Sequence, residues 1–180
     1  TICSTGSESG DCVVDQKVPL HNGTNITVNG NLTLNASANI YTIKNEETAT
    51  LSVGGKLMMN AGAQTRVNWS SLSAANLELA SGASISATGI GYYGQRNGIP
   101  DAVSSGTGIS TAANTTSASG GAAHGGAGGG SNTPIAGSAA TYGDKFQPTA
   151  FGSGAGYSRY GGGNGGGAIR VIVGSTLKVD

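Results

Sequence analysis

The chain has nine carboxylate side chains, nine Lys and Arg, two His and two Cys with which to do chemistry. Glycoside hydrolysis needs two carboxylates at a defined separation, one of them with a raised pKa. The acids are Glu8, Asp11, Asp15, Glu46, Glu47, Glu78, Asp101, Asp144 and Asp180, and only Glu46 and Glu47 are adjacent. Consecutive side chains on a strand point to opposite faces, so that pair does not converge. A lyase needs clustered acids for Ca²⁺ together with an Arg or Lys base. Arg170 is the one candidate base. Its outward place in the strand-like run Ile169–Val173 suits a structural hydrogen bond to the glycine-rich stretch, through Asp144. His21 and His124 are too few for a metal site. The run Gly161–Gly167 is no dinucleotide fingerprint, because a strand pattern follows it where a helix is required. It also lacks the Asp of a Ca²⁺-binding nonapeptide repeat. No Ser-His-Asp or Cys-His signature is present. The sequence predicts no catalytic residue, no cofactor site and no metal ligand set, and it reads as a non-enzyme.

Cys3 and Cys12 enclose a short polar loop. A disulfide there would pin the N-terminal edge and implies an oxidising compartment. The alternative is two free thiols. Six Asn-x-Ser/Thr sequons, at Asn22, Asn25, Asn31, Asn35, Asn68 and Asn114, are a modest excess over chance. They are candidate N-glycosylation sites in a eukaryotic host and a solvated polar face in a bacterial one. The intact mass against the bare 17.5 kDa separates the two.

These residues must be positioned by β-structure. From Ile26 to Ile40 every even position is apolar or Gly and every odd position is polar, which predicts strand with one face buried. Asn25, Asn31 and Asn35 fall on the outward side. The segment recurs: Gly30–Ile40 aligns with Gly55–Thr65 and with Ala75–Ile85. Leu32, Leu57 and Leu77 are then predicted to form one internal stack, and Leu34, Met59 and Leu79 the next. Ala36, Ala61 and Ala63 would line tight corners. Self-similarity at this period with strand-type units indicates a solenoid. Leucine-rich repeats need an Asn/Cys-capped motif and a helix or turn that is missing here. The expectation is all-β: a single-stranded parallel β-helix with a long Gly-rich excursion. An antiparallel sandwich of pilin or immunoglobulin type is the alternative, but a sandwich has no reason to copy one motif at nearly constant phase.

The expected organisation has four parts. Residues 1–23 form an N-terminal segment that caps one end or adds a strand to a neighbour, with Pro19 tolerable only at an edge or turn. Residues 24–85 are β-helix coils. Residues 86–168 are a Gly-rich excursion. Residues 169–180 return as strands that revisit the Gly-x-x-Leu-x-Val form. Aromatic residues punctuate the glycine runs, where a flexible linker carries almost none, so the excursion is expected to be ordered, with backbones packed at close range.

Leu77–Ile90, the Gly/His/Gly run, Tyr142-Gly143-Asp144, Pro148-Thr149, Phe151–Gly154 and Gly165–Val171 resemble a glycine-rich module of large secreted surface proteins. These modules occur in bacteria and protists and look like pectin-lyase-like right-handed parallel β-helices. The resemblance covers about residues 24–180 and implies extracellular scaffolding or adhesion. It also implies continuation after the final strand, so Asp180 is either a fragment boundary or an open end.

Net charge is zero, which argues against electrostatic binding to nucleic acid or to an anionic membrane surface. No run approaches the ~18 apolar residues of a membrane-spanning helix. No signal-peptide pattern opens the chain, so a leader is absent or already removed. Three functions follow in order. The first is an extracellular structural glycoprotein, a solenoid module of a surface coat or self-assembling fibre, whose open ends associate head to tail. The second is a carbohydrate-binding adhesin in which Tyr92, Tyr93, Tyr157 and Tyr160 stack on sugar rings. The third is a polysaccharide-degrading enzyme.

Overall fold

The structure, a computed structural model, describes residues 1–94, 121–124, 128, 141–156 and 161–180. Asn114, Tyr157 and Tyr160 lie outside the described residues. The chain divides into two compact units, residues 1–86 with 169–180, and residues 87–168.

The described residues of the first unit contain no helix. Ser, Thr, Asn and Gly are poor helix formers, and the β-branched residues suit strands. Its strands are β1 (Thr5–Gly6), β2 (Cys12–Val14), β3 (Lys17–Leu20), β4 (Thr24–Val28), β5 (Leu32–Leu34) and β6 (Asn39–Thr42). They continue with β7 (Thr48–Met59), β8 (Gln64–Arg66), β9 (Asn68–Leu79), β10 (Ser84–Ser86) and β11 (Val171–Val179). Two sheets result, one ordered β1-β2-β5-β7-β9-β11 with β4 added on β7, the other β10-β8-β6-β3. All pairs are parallel except β1 with β2. Parallel neighbours twenty-odd residues apart are the signature of a β-solenoid, here of about three turns. The contiguous chain winds them from Cys12 to Leu77, and β11 adds the last rung.

The register matches the repeat alignment. Cys12 pairs with Leu32, Leu32 with Leu57, Leu57 with Leu77, and Leu77 with Leu177. Val14, Leu34, Met59, Leu79 and Val179 form the next column. Ile40, Thr65 and Ile85 share a third. The leucine columns fill the interior, and Leu32, Leu34, Leu57 and Met59 are fully buried. The alternating segment is three strands rather than one: β4, β5 and β6, with corners between them. Alternation persists through the corners except at Ala36, which is exposed.

That corner is a β-turn repeated on each coil. Ala38 N–H donates to Asn35 O, Ala63 to Asn60 O and Ala83 to Ala80 O, at 2.8, 2.9 and 2.9 Å. Gly62 and Gly82 hold the third position at φ +89° and +83°, where a side chain is strained. Ala63 faces the core, whereas Ala36 and Ala61 point to solvent. The returning residues 169–180 are one strand, β11, with a bulge between Val173 and Thr176, instead of a pair of strands.

The N-terminal segment does two things. Residues 12–20 supply β2 and β3, the first rungs on two faces, with Pro19 on the edge strand. Residues 1–8 lie before them. Ile2 is buried in the core, β1 runs antiparallel on β2, and the Cys3–Cys12 disulfide is formed. The Cys3→Ala change will cost roughly 2–3 kcal/mol of unfolding stability, read by urea denaturation. No difference from wild type would mean that residues 1–8 hold their place without the staple.

In the second unit, residues 91–92, 152 and 165–166 are bonded backbone to backbone. Gly91 N–H donates to Gly165 O, Gly165 to Tyr92 O, Tyr92 to Gly152 O, and Gly152 to Gly166 O, all at 2.8–3.0 Å. A Cβ on Gly165 would fall on the carbonyl of Gly152, so the backbones meet only because the residue is glycine.

Candidate functional site

The polar outward residues of the solenoid tie one coil to the next by hydrogen bonds. Asp11 Oδ1 accepts from Asn31 N–H at 2.8 Å, and Asn31 Oδ1 accepts from Lys56 N–H at 2.8 Å. Asn60 Nδ2 donates to Asn35 Oδ1 at 3.0 Å, and Ser37 Oγ to Asp15 O at 2.5 Å. Asn22 Oδ1 accepts from Thr48 N–H at 3.0 Å. Ser70 Oγ donates to Ala49 O at 3.0 Å, and Asn76 Oδ1 accepts from Thr176 N–H at 3.3 Å. Each of these bonds crosses one coil. Their net worth is about 0.5–1.5 kcal/mol apiece.

Charge follows the same axis. Glu78 pairs with Lys56 and, at 3.1 Å, with Lys178, which also pairs with Asp180 at 2.9 Å. Hydrogen bonds from Lys56 and then Lys178 hold the Glu78 carboxyl below the usual carboxylate range. Asp180 and then Glu78 hold the Lys178 ammonium above the usual lysine range. A depressed carboxyl stabilises the fold above the pH at which it titrates when unfolded, and this is lost as pH falls through its folded pKa. A raised ammonium stabilises below its unfolded pKa, and this is lost as pH rises through its folded pKa. Stability is therefore expected to be flat near neutrality and to fall at both extremes. Glu78→Gln will remove most of the acid-limb loss that this ladder contributes, as read from denaturation midpoints across pH. An unchanged acid limb in that variant would show that the ladder contributes nothing measurable.

The sequons separate by environment. Asn22, Asn25 and Asn31 are exposed and Asn35 is half-buried. Asn22 and Asn35 use Oδ1 as acceptor, which an Nδ2-linked glycan leaves intact. Asn68 is a correction: it is 1% exposed and its Nδ2 donates to Glu47 O at 3.1 Å, so no glycan fits there.

The second unit holds the other candidate residues. Tyr142 O–H donates to Phe151 O at 2.5 Å and accepts from Ser153 Oγ at 2.8 Å. The His124 ring stands edge-on to the Tyr142 ring with centroids 4.6 Å apart, and its Nε2 lies 3.3 Å from Ala150 O. Asp144 Oδ1 accepts from Phe146 N–H at 2.6 Å and Gln147 N–H at 3.1 Å. These two backbone donors, Phe146 first, hold the Asp144 carboxyl below the usual range. The carboxylate expected to receive Arg170 is thus engaged within its own loop. Arg170 is exposed and joins the ladder through its backbone, N–H to Trp69 O and C=O from Leu72 N–H.

Tyr92 and Tyr93 are half-buried, and the Tyr92 ring packs against Phe151 in a T-shaped arrangement with centroids 5.7 Å apart. The aromatic that stands out is Phe146, 82% exposed, with Lys145 Nζ 4.8 Å over its ring. Among the described residues no cluster of three or more potential metal ligands forms. No described helix is long and apolar enough to cross a membrane.

The parallel β-solenoid is the class that this fold defines. No family model, no curated protein and no solved structure matches the chain.

Proposed function

We propose that the chain is a structural module, a β-solenoid of an extracellular coat or fibre, of the glycine-rich pectin-lyase-like kind. The observation that carries this reading is the coil-to-coil bonding of the outward polar residues. Side chains that would otherwise face a substrate instead tie each coil to the next, which is what a load-bearing rod requires. The Cys3–Cys12 disulfide suits an oxidising compartment.

The ends supply a means of assembly. On β11, Leu177 is 58% and Val179 65% exposed; the other members of the Leu177 column are buried, and Leu79 beside Val179 is half-buried. At the other end, β4 has β7 as its sole described neighbour strand. Beside β4 lies a groove of about 390 Å³ whose lining includes Ile2, Val18, Pro19, Leu20 and Ile26. A second copy stacked head to tail would continue the existing columns, with Val171 over Ile26 and Val173 over Val28. Parallel addition of this kind is a known mode of strand recognition.

Sedimentation velocity over a dilution series tests it. The expected result is concentration-dependent association that Leu177→Lys abolishes. A single monomeric species at every concentration would overturn the assembly.

A further inference from the structure

A depression in the second unit, about 420 Å³, is lined by His124, Thr141, Tyr142, Gly143, Asp144, Lys145 and Pro148. That volume falls within the range of small-molecule sites, about 300–1,000 Å³. The geometry points to a binding site for a neutral pyranose sugar, with Phe146, which does not line the depression but lies against the lining residue Lys145, as its stacking platform.

Three features carry this assignment. The first is the loop's fixed shape. Asp144 Oδ1 holds the Phe146 and Gln147 amides, and Tyr142 ties the loop to Phe151 and Ser153, so binding has little ordering cost. The second is the ring. Phe146 is the most exposed large hydrophobic side chain among the described residues. Lys145 Nζ lies over one face of it. The quadrupole of an aromatic face attracts the weakly positive C–H groups of a sugar ring as it attracts cations.

The third is the polar complement. Asp144 Oδ2 is not used by the loop bonds, which take Oδ1. A carboxylate oxygen accepts from sugar hydroxyls, and the Lys145 ammonium and Thr141 hydroxyl donate to them. One carboxylate beside one ammonium leaves the site without net charge, so it favours a polyhydroxylated neutral ligand over an anion. The interface requires no strand edge and no bound metal. It is independent of the structural role proposed above, since it lies on residues of the second unit alone.

Saturation-transfer NMR of the full chain with galactose, mannose, N-acetylglucosamine and galacturonic acid tests the assignment. The expected result is transfer to the ring protons of at least one neutral sugar. Phe146→Ala and Asp144→Asn should each weaken it roughly tenfold, the cost of one lost stacking or charge-assisted contact. Asn keeps an Oδ1 acceptor for the loop amides, so this variant tests the charge and not the fold. Amide spectra of both variants confirm that the unit is intact. No transfer from any neutral sugar, or transfer unaffected by both substitutions, overturns the site. Stronger transfer to galacturonic acid than to galactose overturns its neutral specificity.

Discussion

Leu57→Ala will lower the unfolding free energy by about 2–5 kcal/mol, the range for removing a buried leucine from a core that cannot collapse around the gap. Leu57 is fully buried and sits in the middle of its column, with Leu32 on one side and Leu77 on the other. Rungs above and below fix its neighbours by backbone hydrogen bonds, so the cavity cannot close by a local shift. The exposed counterpart in the same column, Leu177→Ala, should cost much less in the isolated chain. Denaturant midpoints at unchanged slope measure both. Equal costs at the two positions would mean that the column is not enclosed.

The second large effect falls in the glycine-rich unit. Gly165→Ala will disrupt the side-by-side backbones, because its Cβ would fall on the Gly152 carbonyl. Overpacking of this kind costs typically about 1–3 kcal/mol, and more where backbone has to move. Gly163→Ala is the internal control, since a Cβ there meets nothing within 4 Å. Hydrogen exchange over residues 151–156 and 161–167 is expected to rise sharply in the first variant and hardly at all in the second. Similar exchange in the two variants would show that the glycines confer flexibility and not close packing.

The solenoid was legible because two signals agreed. Alternation named the buried side of each strand, and repetition named which residues share a column. Leu32, Leu57 and Leu77 stack as their alignment requires. The register of a parallel sheet is set by such columns, since a slip of one residue would turn every leucine outward. The corners were only partly legible. Ala36 keeps the alternation in sequence yet is exposed, because a turn residue answers to φ and ψ and not to the pleat. Asn68 was misread for a related reason. A sequon is a local pattern, while burial at Asn68 depends on its bond to Glu47 one coil away.

Trp69 is the largest buried side chain, yet no periodicity marks it. It lies where β9 carries an extra residue against β7, and its Nε1 donates to Thr65 Oγ1 at 3.2 Å. A bulge breaks the rule of alternation by which the other core residues are found. In the glycine-rich unit the close approach of backbones was foreseeable from composition. Which aromatic packs and which is presented was not. Tyr92 and Phe146 differ in their neighbours in space, and sequence alone does not supply those.

The most direct test of the account is electron microscopy of the purified wild-type chain across a range of concentrations. Tied coils with an exposed apolar face on β11 should give end-to-end assemblies, their lengths whole multiples of one molecule. Discrete single molecules that never join, however concentrated the sample, would contradict the assembly role assigned to this solenoid.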